Sequence, residues 1–257
     1  MSSIAVTVVM PALNEAGNLA GAVANVLDSF RHRQINGELI IVDDGSSDGT
    51  GAMADRYTCV YDNVRVLHHE NPQGIGASFW AGVSASAGEV VVMIPGDGEN
   101  DAEEILRYFP LMEEVDIVIP FVYNSTMARS LGRRFLSIVF REIIKAGFGL
   151  SLNYMNGTVM YRRTVFEGIE LKNEGFFYQS ELLIKTISRG YLYAEVPCAL
   201  RQRGSGDSRA TTWKSLKRVA SGYIQTFSDI HFGTKRSGIA KGTATARRSG
   251  DLQKWNG

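Results

Sequence analysis

Short β-branched apolar runs alternate with helically spaced apolar residues through the first 120 positions. Ile4–Met10, Glu38–Val42, Val64–His68, Glu89–Ile94 and Val115–Pro120 each read as a short buried strand. Between them, Asn14–Phe30 places Leu19, Val23, Val26, Leu27 and Phe30 on one helical face, and Thr50–Tyr57, Gly74–Ala87 and Ala102–Met112 also read as helices. Pro11 is expected to end the first strand, and Asn14 or Asn18 to cap the helix after it. Strands alternating with helices predict an α/β fold built from βα units around a mostly parallel sheet. Open sheets of this kind bind ligands beyond the carboxyl ends of their strands. The polar cluster Pro11–Glu15 and the polar, glycine-bearing clusters Asp43–Gly49 and Gly96–Glu99 all fall at such ends.

The pattern changes after residue 120. Ser130–Phe148 reads as a basic amphipathic helix, Asn156–Tyr161 as a strand after a turn, and Tyr178–Arg189 as a helix stopped by Gly190. Tyr191–Val196 reads as a strand and Trp213–Phe227 as a basic, partly apolar helix. There is no internal repeat. The expected organisation is a single domain over residues 1–232, with a sheet-building half (1–120) and a more helical half (121–232), followed by a flexible basic tail at 233–257.

Composition narrows the function classes. The 257 residues are 44% hydrophobic and 21% charged, which excludes a disordered or collagen-like chain. No apolar run approaches the ~18–20 residues needed to cross a bilayer, and no secretory leader is recognisable, so the expected location is the cytoplasm. Two cysteines, Cys59 and Cys198, supply neither a disulfide framework nor a cysteine zinc site. The net charge is zero, from 27 basic and 27 acidic residues, but it is unevenly distributed. Arg129–Lys145 holds five basic residues against Glu142, Arg201–Arg218 six against Asp207, and Gly233–Gly257 six against Asp251. These segments carry +4, +5 and +5, so the remainder carries −14. The second half is therefore suited to an anionic partner such as phosphate or anionic lipid. Nucleic acid is disfavoured, because the basic segments lack interleaved aromatic residues and no recognition motif is present.

Carboxylates gathered at one sheet edge repel one another unless a cation or a hydrogen-bond donor is shared among them. A hard divalent cation with a phosphate-bearing ligand fits that description, as does an aspartate reading a base N–H. Asp44, Ser46 and Asp48 also suit ordinary turn and helix-cap chemistry, so no single loop decides the matter.

The three loops together resemble glycosyltransferase family two. VVMPALNEAGNL is similar to its P-A-Y-N-E motif, and IIVDDGSSDGT to D-D-G-S-x-D-x-T. ENPQGIGASFWAGVSASAGEVVVMIPGDGEN resembles the stretch that leads into its D-x-D motif. The resemblance implies a GT-A fold, a Rossmann-like sheet flanked by helices, with a nucleotide-sugar-binding half at 1–120 and an acceptor-binding half at 121–232. It also implies a nucleotide-diphosphate-sugar donor, Mg2+ or Mn2+, and inversion at the anomeric carbon. Carried over, Pro11, Ala12, Asn14, Glu15, Asp43, Asp44, Gly45 and Ser46 would bind the nucleotide, and Asp97 would be the metal carboxylate beside the diphosphate. Pro95 stands where the first D-x-D aspartate is usual and cannot ligate a metal; Glu99 is the candidate replacement.

The second half resembles the polyprenyl-phosphate glycosyltransferases, the group of dolichyl-phosphate mannose synthase. Arg203–Arg209 (RGSGDSR) is similar to their R-x-x-G-x-S-K, Gly175–Leu183 contains a counterpart of F-Q-x-E-L, Tyr154–Arg163 (YMNGTVMYRR) of S-G-F-R-x-Y-R-R, and Gly190–Pro197 follows G-Y-x-x-x-E-V-P. Family members with hydroxyl acceptors commonly carry an aspartate base at the position of Gln179, and an amide cannot take a proton there. A phosphate acceptor is already anionic and needs cations instead, which Arg129, Arg133, Arg134, Arg203 and Arg209 would supply. Glu181 joins Asp97 and Arg203 as an expected catalytic side chain, contacting a sugar hydroxyl or an arginine, with a surface carboxylate as the alternative. The expected function is sugar transfer from a UDP- or GDP-sugar to a polyprenyl phosphate, by an enzyme peripheral on the cytoplasmic face of a membrane, with the Ser130–Phe148 helix against anionic lipid. The alternatives are a soluble transferase with a hydroxyl acceptor and a non-catalytic sugar-nucleotide-binding protein.

Overall fold

The structure is a computed structural model that describes residues 3–123, 131–153, 155, 157–173, 175, 177–199, 213–233 and 238–255; for residues 131–136, 213–216 and 251–255 it describes the backbone alone. Seven strands form one sheet: β1 (Val6–Ala12), β2 (Gly37–Asp43), β3 (Val64–His68), β4 (Val90–Met93), β5 (Ile117–Val122), β6 (Met160–Arg162) and β7 (Tyr193–Cys198), in spatial order β3-β2-β1-β4-β6-β5-β7. All neighbours pair in parallel except β6, which runs antiparallel between β4 and β5. The helices are α1 (Leu19–His32), α2 (Thr50–Thr58), α3 (Ile75–Ala85), α4 (Ala102–Leu106), α5 (Leu131–Phe148), α6 (Tyr178–Ser188), α7 (Trp213–His231) and α8 (Ala244–Trp255).

The central strands are buried on both faces, which is why they read as unbroken apolar runs rather than alternating ones. Val6, Val8 and Met10 of β1 pack with Leu39 and Ile41 of β2 and with Leu19, Val23, Val26 and Phe30 of α1. Val9, Ile40 and Val42 face the other way, onto Phe79 of α3 and Leu182 and Leu183 of α6. Two apolar layers thus sandwich the sheet. The carboxyl ends of β1, β2, β3, β4, β5 and β7 lie along one edge, the edge to which the candidate loops were assigned.

Several expectations are corrected. β1 runs through Pro11 to Ala12, paired with Val42 and Asp43 of β2. Proline loses only its donor there; the Pro11 carbonyl still accepts from the Gly96 N–H at 3.0 Å. The helix expected over Ala102–Met112 stops at Leu106 and is followed by a 3₁₀ turn at Phe109–Glu113, with Pro110 in its first turn. The strand expected over Asn156–Tyr161 is the three residues of β6, and that expected over Tyr191–Val196 is displaced to Tyr193–Cys198.

The largest correction concerns the tail. Residues Ala244–Trp255 form helix α8, not a flexible segment. Its N-terminus docks on Asp116, which is fully buried next to β5. The carboxylate accepts the Ala244 N–H at 2.6 Å, the Thr245 N–H at 2.9 Å and the Thr245 hydroxyl, and the Arg162 Nε–H at 3.1 Å. Asp116 therefore does what a helix-capping side chain does, from 128 positions away. Asp116→Asn is expected to cost about 1–3 kcal/mol of stability, because an amide cannot accept from all four donors. Urea unfolding would measure this, and an unchanged midpoint would show that α8 does not depend on the carboxylate.

Candidate active site

The first two loops at the carboxyl edge are zipped together by side-chain-to-backbone hydrogen bonds. The Asn14 N–H donates to Ser46 Oγ at 3.0 Å, and Asn14 Oδ1 accepts the Ser47 N–H at 2.9 Å. The Glu15 N–H reaches Thr50 Oγ1 at 2.9 Å, and the Ala16 N–H reaches Asp48 Oδ2 at 3.1 Å. Asn14 holds a left-handed conformation (φ 56°), which asparagine tolerates better than most residues. Gly45 is also left-handed (φ 73°), and a Cβ there would lie 2.8 Å from the Asn71 backbone, so the position requires glycine twice over. Burial opposes the charge on Asp48, but hydrogen bonds from Thr50 and the Ala16 N–H outweigh it and hold the carboxyl below its usual range.

Pro11, Ala12 and Asp43 therefore close β1 and β2, and Asn14, Glu15, Asp44, Gly45 and Ser46 lie on the two interlocked loops that follow. The two aspartates are buried and turned toward a histidine pair that the sequence reading missed. Asp43 accepts the Ser46 N–H at 3.1 Å and meets His68 Nδ1 at 3.1 Å. Asp44 meets His69 Nδ1 at 2.7 Å and accepts the Gln73 and Gly74 N–H groups at 2.8 and 2.9 Å. His68 Nε2 lies 3.0 Å from Asp55. The signal was two consecutive histidines at the carboxyl end of a third parallel strand.

Hydrogen bonds donated by His68 to Asp43 and then to Asp55 raise its pKa, against a smaller opposing effect of burial. A folded-state pKa above the unfolded one contributes stability that is complete below the unfolded value, near ~6.5, and is lost as pH rises through the folded value. The thermal stability gap between the wild type and His68→Gln is therefore expected to be widest at about pH 6 and to narrow by about pH 9. A constant gap would mean that the ion pairs contribute nothing.

The third loop joins the same edge through the Gly96–Pro11 hydrogen bond. Asp97 is half-buried and its Oδ1 accepts the Glu99 N–H at 3.1 Å; between them Gly98 turns left-handed (φ 74°). Asp97 Oδ2 has no partner among the described residues. Among those residues no three His, Cys, Asp or Glu side chains gather into a metal cluster. Two carboxylates of hard oxygen character nevertheless fit a divalent cation such as Mg2+, which commonly takes one or two carboxylates and completes its shell with substrate phosphates and water. The Pro95 side chain offers no donor atom.

Glu181 requires a correction. It is neither a surface carboxylate nor a free catalytic one: its side chain is 0% exposed and occupied by the protein's own donors. The Lys172 and Asn173 N–H groups donate to it at 3.1 and 3.0 Å, Asn173 Nδ2 at 2.6 Å and Lys185 Nζ at 2.5 Å. It pins the 171–173 loop to α6. Gln179 is likewise buried and donates from Nε2 to the Tyr161 hydroxyl at 3.0 Å, so it is part of the core. Arg129, Arg203 and Arg209 lie outside the described residues, and Arg133 and Arg134 are placed on α5 by their backbone alone.

Known proteins resemble this arrangement over most of its length. Residues 7–169 match the sequence profile described as Glycosyl transferase family 2. The chain is 30% identical over 214 residues to a polyprenol monophosphomannose synthase of Mycolicibacterium smegmatis, covering 79% of each chain. It is 26% identical over 214 residues to an undecaprenyl-phosphate mannosyltransferase of Micrococcus luteus, covering 79% of this chain and 86% of that one. A crystal structure of glucosyl-3-phosphoglycerate synthase from Mycobacterium tuberculosis with Mn2+, UDP-glucose and phosphoglyceric acid superimposes with a TM-score of 0.64 at 23% identity, covering 91% and 82% of the two chains. A further mycobacterial protein of solved structure gives a TM-score of 0.67 at 22% identity, covering 87% and 75%. These two likenesses concern the fold.

Proposed function

The chain belongs to glycosyltransferase family 2 and has its GT-A fold, and from that premise we propose that it transfers a sugar from a nucleotide-diphosphate sugar to a polyprenyl phosphate with inversion at the anomeric carbon. The observation that carries the acceptor assignment is the 30% identity, over four-fifths of both chains, to a relative named as a polyprenol monophosphomannose synthase. The chemistry at Gln179 supports it. At the position of the hydroxyl-directed members' base, this chain buries an amide against Tyr161. A phosphate monoester attacks as an anion and needs no base.

In this reading, the loops at Pro11–Glu15 and Asp43–Ser46 hold the nucleoside, with His68 and His69 fixing the two aspartates. Asp97 and Glu99 would hold Mg2+ or Mn2+ beside the diphosphate. The bound cation would offset the charge that gathers on the departing nucleoside diphosphate. Arg129, Arg133, Arg134, Arg203 and Arg209 bind and orient the acceptor phosphate. One of its oxygens forms the new bond to the anomeric carbon while the bond to the diphosphate breaks on the opposite face. An acidic edge facing an anionic donor also supports the need for a cation between them.

Arg203→Ala tests the division of labour. It is expected to raise KM for the polyprenyl phosphate about 10–100-fold, the value of one charge-assisted hydrogen bond, while the nucleotide Kd stays within about twofold. Calorimetry and steady-state kinetics read the two quantities separately. Equal losses in both would remove Arg203 from the acceptor site.

A further inference from the structure

The two histidines at the end of β3 make different demands on their ring protons. His69 makes one carboxylate contact, to Asp44, and a single N–H satisfies it. His68 makes two. Its Nδ1 lies 3.1 Å from Asp43 Oδ2, and its Nε2 lies 3.0 Å from Asp55 Oδ1. A neutral imidazole has one N–H, so it would donate to one carboxylate and turn a lone pair on the other. Only the imidazolium donates to both. The edge strand β3 is packed by β2 and α2, and the charged groups that these elements turn to His68 are Asp43 and Asp55. Neither carboxylate has another ion-pair partner among the described residues.

The bridge is built into the nucleoside side of the site. Asp43 is buried, and the first turn of α2 lies directly on it. A Cβ at Gly51 would come within 2.5 Å of Asp43 Oδ2 and 3.4 Å of His68 Cε1. The other oxygen of Asp43 accepts the Ser46 N–H at 3.1 Å, and Ser46 Oγ accepts the Asn14 N–H at 3.0 Å. A continuous line of hydrogen bonds thus runs from α2 through His68 and Asp43 into both interlocked loops. The His68 side chain is 45% exposed, so its proton exchanges with water.

We propose that His68 is a positioning residue for the donor: as an imidazolium between Asp43 and Asp55 it holds the nucleoside loops in their binding geometry, and it loosens them when it gives up its proton. The inference rests on the donor reading given above, in which those loops bind the nucleotide. Donor and proton then favour the same arrangement, so each strengthens the binding of the other. Hydrogen bonds to Asp43 first and Asp55 second raise the His68 pKa. Donor affinity is therefore complete at acid pH and falls as pH rises through that raised value. A ring that merely filled space would impose no such dependence.

The test is calorimetry of the full chain with UDP-glucose and with GDP-mannose, each with Mg2+, from about pH 6 to about pH 8.5. Nucleotide sugars serve as probes because their diphosphate, esterified at both ends, does not titrate over this range. The Kd of the sugar nucleotide that binds is expected to weaken about fivefold or more across it. His68→Gln, whose amide donates from one nitrogen only, is expected to bind as weakly at about pH 6 as the wild type does at about pH 8.5, with no trend between. Asp55→Asn leaves Asp43 in place. It is expected to move the fall in affinity to lower pH, in step with the His68 ring titration followed by NMR. Retained circular dichroism at each pH establishes that both variants are folded. Three results would overturn the proposal: a wild-type Kd constant with pH, the same pH dependence in His68→Gln, or an affinity profile in Asp55→Asn that stays with that of the wild type. Absence of binding at every pH would overturn the donor reading and this inference with it, whereas tight binding at every pH overturns this inference alone.

Discussion

Asp97→Ala is expected to lower kcat/KM for sugar transfer about 10³-fold or more, with the fold intact. Losing a group that helps to stabilise charge on a leaving phosphate typically costs two to three orders of magnitude or beyond. The effect should be large here because the site has little redundancy. The Pro95 side chain contributes no donor, and no third metal-binding side chain joins Asp97 and Glu99 among the described residues. Stability should barely change, since the only bond the Asp97 side chain makes among those residues is the local one to the Glu99 N–H. Kinetics with a saturating donor and a melting curve of the same sample check both halves. Ordinary turnover in the variant would move the diphosphate site elsewhere.

Glu181→Ala is expected to have the opposite profile, a loss of about 3–5 kcal/mol in stability that any loss of activity merely follows. The substitution removes the acceptor for two backbone N–H groups and the Asn173 amide, and it leaves Lys185, 11% exposed, without its main counter-charge. Asp229 lies 3.4 Å from the Lys185 ammonium and recovers only part of that interaction. Because Asp229 sits on α7, the same cluster ties α7 to α6 and the 171–173 loop. Urea unfolding of the variant, read beside its kcat, separates the two roles. Full stability with lost turnover would return Glu181 to the catalytic set.

The difference between these residues explains what the sequence could reveal. Asp97 acts outward, on a loop whose position follows from the strand before it, and β4 is legible as a buried apolar run. The same holds for β1, β2 and β5, whose burial on both faces writes itself into local composition. Glu181 acts inward, and its partners are backbone N–H groups at 172 and 173, which no side-chain pattern advertises. Asp116 and α8 are the extreme case. The polar, glycine-bearing segment around Thr243 looks unstructured locally, and its helix depends on a carboxylate 128 positions earlier. The antiparallel direction of β6 was illegible for a related reason: three residues carry no period, and direction is decided by neighbours on both sides. His68 and His69 were legible in principle, as the end of a strand that was correctly placed. Their pairing with Asp43 and Asp44 needed the sheet order.

The central claim is the reaction itself, and the measurement that tests it most directly is transfer of labelled sugar from a panel of UDP- and GDP-sugars to a polyprenyl phosphate, with and without Mg2+ or Mn2+. The two relatives described above are named for mannosyl transfer, so mannose heads the panel. The account predicts a lipid-linked sugar that forms only with the divalent cation and disappears in Asp97→Ala. Binding of the nucleotide sugar with no lipid-linked product from any donor would contradict it.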